Sequence, residues 1–287
     1  MGLGSVKVNG NKIKVKDEFG QLSLVLNGMD IQDISDIKGL DTLTEIDSLD
    51  LSNNKITEIK GLESLTSLKA LFLNNNQISE INGLDNLHKL QRLFLNGNQI
   101  TEIKGLDNAS GLIWLELNKN KITELKGLDT LTGLIQLELE ENQIAEIKGL
   151  YTLTSLQTLK LSRNQITEIK GLEGLTALHM LNLDHNKIAE IKGLDTLVNL
   201  TTLPLDNNQI SEIQGLDTLT ELENLHLDTN QLTELKGLDN LKKLSSLYLG
   251  LNPFEGEAKK FAPMNVMGTD HIQELLRSYK EWKKQNA

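Results

Sequence analysis

The chain has no cysteine among its 287 residues. No disulfide can hold its ends, and no thiolate can bind a metal or attack a substrate. That composition favours a reducing compartment, so a cytoplasmic location is expected. Aromatics make up only 3% of the chain. No apolar run approaches the length of about 20 residues needed to cross a membrane. The start, MGLGSVKVNG, lacks the apolar core of a signal peptide. Val6 also stands where a myristoylation signal needs Ser or Thr. Acidic residues outnumber basic ones, 40 to 29. The net charge is −11, and residues 259–287 contribute +3, so the rest carries −14. A surface this acidic argues against nucleic acid and anionic membrane, and for a protein partner with a basic or mixed-charge surface.

What the chain has is repetition. The phrase L-x-L-x-x-N occurs ten times at a spacing of 22 residues, its first leucine running from Leu49 and Leu71 to Leu247. A period of this kind predicts a solenoid whose turns pack on their neighbours. One unit spans residues 71–92 and reads LFLNNNQISEINGLDNLHKLQR. Leu-x-Leu alternates and predicts a short strand. The following I-x-x-I and L-x-x-L-x-x-L have a period near three and predict a return through turns and short 3₁₀ or α segments. Leu71, Leu73, Ile78, Ile81, Leu84, Leu87 and Leu90 should point inward, each contributing roughly 1.5–3 kcal/mol when buried. The recurring asparagine should satisfy backbone groups of its own turn and the next. The recurring glycine, as at Gly61 and Gly83, should supply a positive-φ corner or a close contact between turns. The Glu58/Lys60 pair and its copies read as a solvated charged wall.

Residues 27–48 read as a weaker first turn, with Met29, Ile34, Ile37, Gly39, Leu40, Leu43 and Ile46 in register and Gln32 replacing the asparagine. Before it, two alternating runs flank Asn9-Gly10 and predict a β-hairpin cap over residues 1–26. The repeats occupy 27–254. Residues 255–287 hold an irregular stretch bracketed by Pro253 and Pro263, then a helix that caps the last turn. Asp270 and Gln273 are placed for reciprocal capping, and Ile272, Leu275, Leu276, Tyr279 and Trp282 share one face.

The pattern resembles the leucine-rich repeat family in its 22-residue class, which includes the nuclear regulatory subunit of protein phosphatase type one and, similarly, the internalins. That resemblance covers roughly residues 27–254. It implies a curved solenoid binding proteins on its concave sheet. The segment Gly268-x-x-x-Ile272-x-x-x-Leu276-Arg277 also resembles the junction between repeats and GTPase domain in Roco proteins. No phosphate-binding G-x-x-x-x-G-K-[ST] occurs in the chain. The expected fold is a right-handed α/β solenoid of eleven turns.

Four slots per unit should face solvent on the sheet: those either side of the first leucine and the two before the asparagine. Phe72, Phe94, Trp114 and Tyr248 occupy such slots, and Arg92 precedes the first leucine of its unit. Phe72, Phe94, Trp114 and Arg92 read as an apolar anchor for a protein partner. Glu116, Glu138, Glu140 and Glu141 follow as acidic selectors, then Lys160 and Arg163. Asp184, Asp206 and Asp228 fill one slot in three successive units, about 5 Å apart. A solvated row, a basic partner and a cation such as Ca²⁺ all remain open there. His185 and His226 sit roughly two strands apart, about 10 Å, too far to share a zinc ion. No nucleophile–base set surrounds a closed cavity, so no enzyme, cofactor, metal site or small-molecule substrate is expected. Pro204 should disturb the sheet locally. The leading reading is a protein-binding scaffold. A Roco-type regulatory or dimerising arm and a secreted internalin-like adhesin are the alternatives.

Overall fold

Asn9 and Gly10 both take positive φ, 48° and 80°. They turn β1 (Ser5–Val8) directly into antiparallel β2 (Asn11–Lys14). The computed structural model describes residues 3–254, 259 and 265–286. The Met-Gly start lies outside the described residues. So does the stretch toward Pro263 from Glu255 onward, Lys259 excepted. The chain divides into two units, Met1–Gln143 and Ile144–Ala287.

In the first unit a second hairpin follows, β3 (Lys16–Glu18) and β4 (Gln21–Val25), turned at Phe19 and Gly20. β4 then lies parallel to β5 (Ser48–Asp50), Leu24 opposite Leu49. The chain thus enters the sheet as a strand, and the exposed Lys16, Asp17 and Glu18 form the sheet's outer edge. A charged edge resists pairing with other chains. Parallel to β5 follow β6 (Ala70–Phe72), β7 (Arg92–Phe94), β8 (Trp114–Glu116) and β9 (Gln136–Glu138).

The structure corrects the first turn. Leu24 and Leu26 fill the leucine positions before Leu49 and Leu51, and both are wholly buried. Met29 is only partly buried. Its N–H and that of Ile31 donate to Asn54 Oδ1 at 2.9 and 3.0 Å. Ile56 donates to Asn76 Oδ1 in the same way. Six buried aliphatics, Ile31, Ile34, Ile37, Leu40, Leu43 and Ile46, follow at three-residue steps, where Ile56 opens a run of five. One extra step makes this turn longer than the others. It also contains two 3₁₀ helices, Ile34–Asp36 and Leu40–Thr42. In the later turns the return segments are turns and bends, not the short helices expected.

The second unit repeats the scheme. β10 (Thr158–Lys160), β11 (Met180–Asn182), β12 (Thr202–Pro204), β13 (Asn224–His226) and β14 (Ser246–Tyr248) run parallel. Proline has no N–H to offer the ladder. The register between β11 and β12 accordingly runs through one pair, Met180–Thr202, where β12–β13 runs through three. Pro204 still accepts from Leu183 N–H at 2.9 Å. β15 (Asn265–Met267) adds an antiparallel strand beside β14, and α1 (Thr269–Asn286) follows. Ile272, Leu276 and Tyr279 of α1 are buried, and Lys283 pairs with Glu234 of the repeats at 2.7 Å. The expected capping box does not form. Asp270 lies inside the helix, and Gln273 Nε2 donates instead to Leu241 O at 3.0 Å.

The core is a ladder of fully buried leucines and isoleucines in every turn. Two features lock the turns together, one polar and one steric. Nine of the ten ladder asparagines are buried and Asn252 is half-buried, and each is hydrogen-bonded across the turn boundary, as Asn76 is to Leu51 O at 3.0 Å. The glycines close the other side: a methyl group built on Gly105 would stand 2.2 Å from Ile81 O. The fold is a solenoid of parallel strands with few helices.

Candidate functional site

On the solvent side of the first unit's sheet, equal turn lengths bring equal slots side by side. Phe72 and Phe94 are Cα partners. Their rings stack at 4.6 Å with planes 7° apart. Trp114 meets Phe94 edge-on, centroids 5.2 Å apart. Phe72 and Trp114 are half-buried, while Phe94 between them retains 7% exposure. Phe94 is therefore the floor of the cluster and not an exposed anchor. Arg92, the Cα partner of Trp114, is exposed. Trp114 Nε1 is buried and has no hydrogen-bond partner among the described residues.

The acidic residues beside the cluster are fixed by their own sheet. Glu116 Oε2 accepts from Asn96 Nδ2. Glu138 accepts from Asn118 Nδ2 at 2.9 Å and Gln136 Nε2 at 2.7 Å, and keeps only 6% exposure. Burial makes Glu138 part of the sheet's framework. Glu140 donates its backbone N–H to Asn118 Oδ1 at 2.7 Å. Glu141 is exposed, 3.7 Å from Lys119 Nζ. Sequence reading missed Ile113 and Ile135, each 39% exposed in adjacent turns one residue before the slots considered. Their β-branched side chains, recurring one turn apart, carried that signal.

The second unit holds the other candidates. Lys160 is half-buried and Arg163 exposed. The aspartate row is a backbone-capping ladder. Asp184 Oδ1 accepts Asp206 N–H at 2.8 Å, Asp206 Oδ1 accepts Asp228 N–H at 2.7 Å, and Asp228 Oδ1 accepts Gly250 N–H. Asn74, Asn96 and Asn118 fill that slot in the first unit and do the same work. Asp206 also faces His226 Nδ1 at 3.6 Å. That contact raises the His226 pKa above its usual value. Burial raises Asp228, and burial followed by Arg163 lowers His185. His226 packs on Tyr248 with ring centroids 4.4 Å apart. Among the described residues no cluster of His, Asp or Glu is arranged to hold a metal ion.

The profile described as Leucine Rich repeats (2 copies) matches residues 44–86, 66–108 and 154–197. No curated protein matches the chain at a significant level. An internalin (inlF) of Listeria monocytogenes is 31% identical, with 82% of this chain and 75% of that one covered and a TM-score of 0.67. The chain belongs to the leucine-rich repeat family. A leucine-rich repeat protein of Leptospira interrogans is 30% identical over 83% of this chain, TM-score 0.72, and is itself covered to 60%. A chain of an octameric complex of latrophilin 3, Unc5D and the repeats of FLRT2 is 26% identical, with 85% and 79% covered and a TM-score of 0.73. Leucine-rich repeat proteins generally mediate protein–protein interaction and are typically non-catalytic.

Proposed function

We propose that this chain is a non-catalytic, cytoplasmic scaffold of the 22-residue repeat class that binds a partner protein on the first unit's strand face. The aromatic run carries the reading: three large rings in contact on the solvent side of a sheet, two of them half-exposed. Aromatic side chains with a neighbouring arginine are the residues that dominate protein interfaces. Phe72 and Trp114 make the contact, Phe94 supports both, and Arg92 borders them. Ile113 and Ile135 extend the apolar area. Glu116, Glu140 and Glu141 give it an acidic border that selects a basic or mixed-charge partner surface.

Capture of partners on immobilised protein, run beside the Trp114→Ala variant, tests this. Trp114→Ala should weaken the captured complex by about 1–4 kcal/mol while the melting curve stays cooperative. Equal affinity for both proteins overturns the assignment.

The likeness to an internalin favours a second reading, a secreted adhesin using the same face. A parent reading frame encoding a signal peptide would support it. The Roco reading rests on the sequence of Gly268–Arg277, and a parent frame continuing into a phosphate-binding loop is its test.

A further inference from the structure

The aromatic stack ends at Phe72. One face of its ring lies against Phe94. On the other side its Cα partner is Asp50, whose side chain is much shorter. Ser48 and Ala70, two residues earlier in these strands and on the same face, are short as well. Beyond Asp50 stands Val25, 45% exposed. The phenyl ring therefore forms one wall of a notch, a carboxylate its floor and an aliphatic side chain the opposite wall.

The carboxylate is held in place. Asp50 Oδ1 accepts from Ser52 N–H at 2.8 Å, and Oδ2 accepts from Asn27 Nδ2 at 3.3 Å. Asn27 in turn accepts from Asn53 at 3.2 Å, and Asn53 accepts from Asn75 at 2.9 Å. Three side-chain amides from successive turns thus point their donors one way and end on Asp50. Each carboxylate oxygen accepts one of these bonds and has capacity for another.

We propose that this notch receives the guanidinium of an arginine from the partner protein. The inference rests on the protein-binding reading of the same face. A guanidinium is planar, so it can lie on the free face of Phe72 and fork toward both Asp50 oxygens. A lysine ammonium satisfies the charge but not the stacking. The net charge of −11 complements a cationic anchor.

The probe is N-acetyl-arginine amide, titrated into the full chain and followed by backbone amide NMR. N-acetyl-lysine amide and the neutral isostere N-acetyl-citrulline amide run in parallel. The expected result is saturable shifts at Asp50, Ser52 and Phe72 with a Kd of about 1–10 mM. Asp50→Asn and Phe72→Leu should each weaken binding roughly tenfold. Citrulline binding as well as arginine overturns the proposal, as does lysine binding equally well or Asp50→Asn changing nothing. Arginine failing while capture remains sensitive to Trp114→Ala removes the notch and leaves the protein-binding face. Capture insensitive to Trp114→Ala removes that face instead.

Discussion

Asn98 Oδ1 accepts the backbone N–H of Ile78, in the preceding turn, at 3.0 Å. The same side chain donates through Nδ2 to Leu73 O at 2.9 Å and Leu95 O at 3.0 Å. One amide thus satisfies a buried donor and two carbonyls, at 7% exposure of its own. Asn98→Ala strands the Ile78 N–H, while Leu73 O keeps Asn76 Nδ2 and Leu95 O keeps Asn120 Nδ2. The expected loss is about 2 kcal/mol, read by urea unfolding. A loss below about 1 kcal/mol would mean that water replaces the amide at no real cost.

Two glycines at the same repeat position should respond differently to one methyl group. Gly105→Ala places a Cβ 2.2 Å from Ile81 O at φ +71°, and backbone cannot swing aside. Gly61→Ala, at φ +76°, meets nothing nearer than 3.7 Å because the longer first turn lies behind it. The expected losses are about 2–4 kcal/mol for Gly105 and about 1 kcal/mol for Gly61. Equal melting temperatures for the two variants would refute the close-contact argument.

His226 should titrate above its ordinary value of 6.5, chiefly because Asp206 accepts its proton's hydrogen bond. Asp184 and Asp228 add to that, and burial opposes it. The folded pKa is raised, so this contribution to stability is complete below 6.5 and disappears as pH climbs through the folded value. Asp206→Asn keeps an oxygen for Asp228 N–H but removes the charge. The His226 Cε1–H titration should then move to lower pH. An unmoved curve would mean that Asp206 is not the cause.

Thr229 is a β-branched residue held at φ +56°. The residue before the ladder asparagine takes this left-handed conformation in turn after turn, as at Asn53, Asn75, Lys119 and Asn207, and Gly97 takes it without strain. Asparagine tolerates that region better than threonine. Thr229→Asn should therefore raise stability by about 1 kcal/mol, measured by chemical denaturation. A destabilised variant would show that Thr229 makes a contact worth more than its strain.

The repeat was legible because burial and period are local properties. Every leucine and isoleucine assigned to the interior of residues 71–92 is buried there. The first turn was misread because a fixed 22-residue step put Met29 where Leu26 stands, and an extra three-residue step leaves the local pattern unchanged. β15 went unseen because Asn265–Met267 has no alternating run of its own and forms through its pairing with β14. The slots of Phe72, Phe94 and Trp114 followed from counting, but the burial of Phe94 depends on the widths of its neighbours. The aspartate row looked like spare charge. Aspartate and asparagine at that slot share an oxygen that accepts the next turn's N–H, and the alternation between Asn74, Asn96 and Asn118 and the aspartates contained that clue.

Each ladder asparagine reaches back one turn and no further, and that makes the gene's length editable. A recombination event that copies one whole repeat in register brings a complete set of leucines, one amide and one close-approach glycine, so neither neighbour loses a bond. A crossover a single codon out of phase would turn the apolar stripe toward water. The long first turn does not share this freedom: duplicated internally, it would set its extra step against a partner built for the shorter one. Variation in the number of repeats among near relatives should therefore fall between Leu49 and Asn252, leaving the entry hairpins and the closing helix intact.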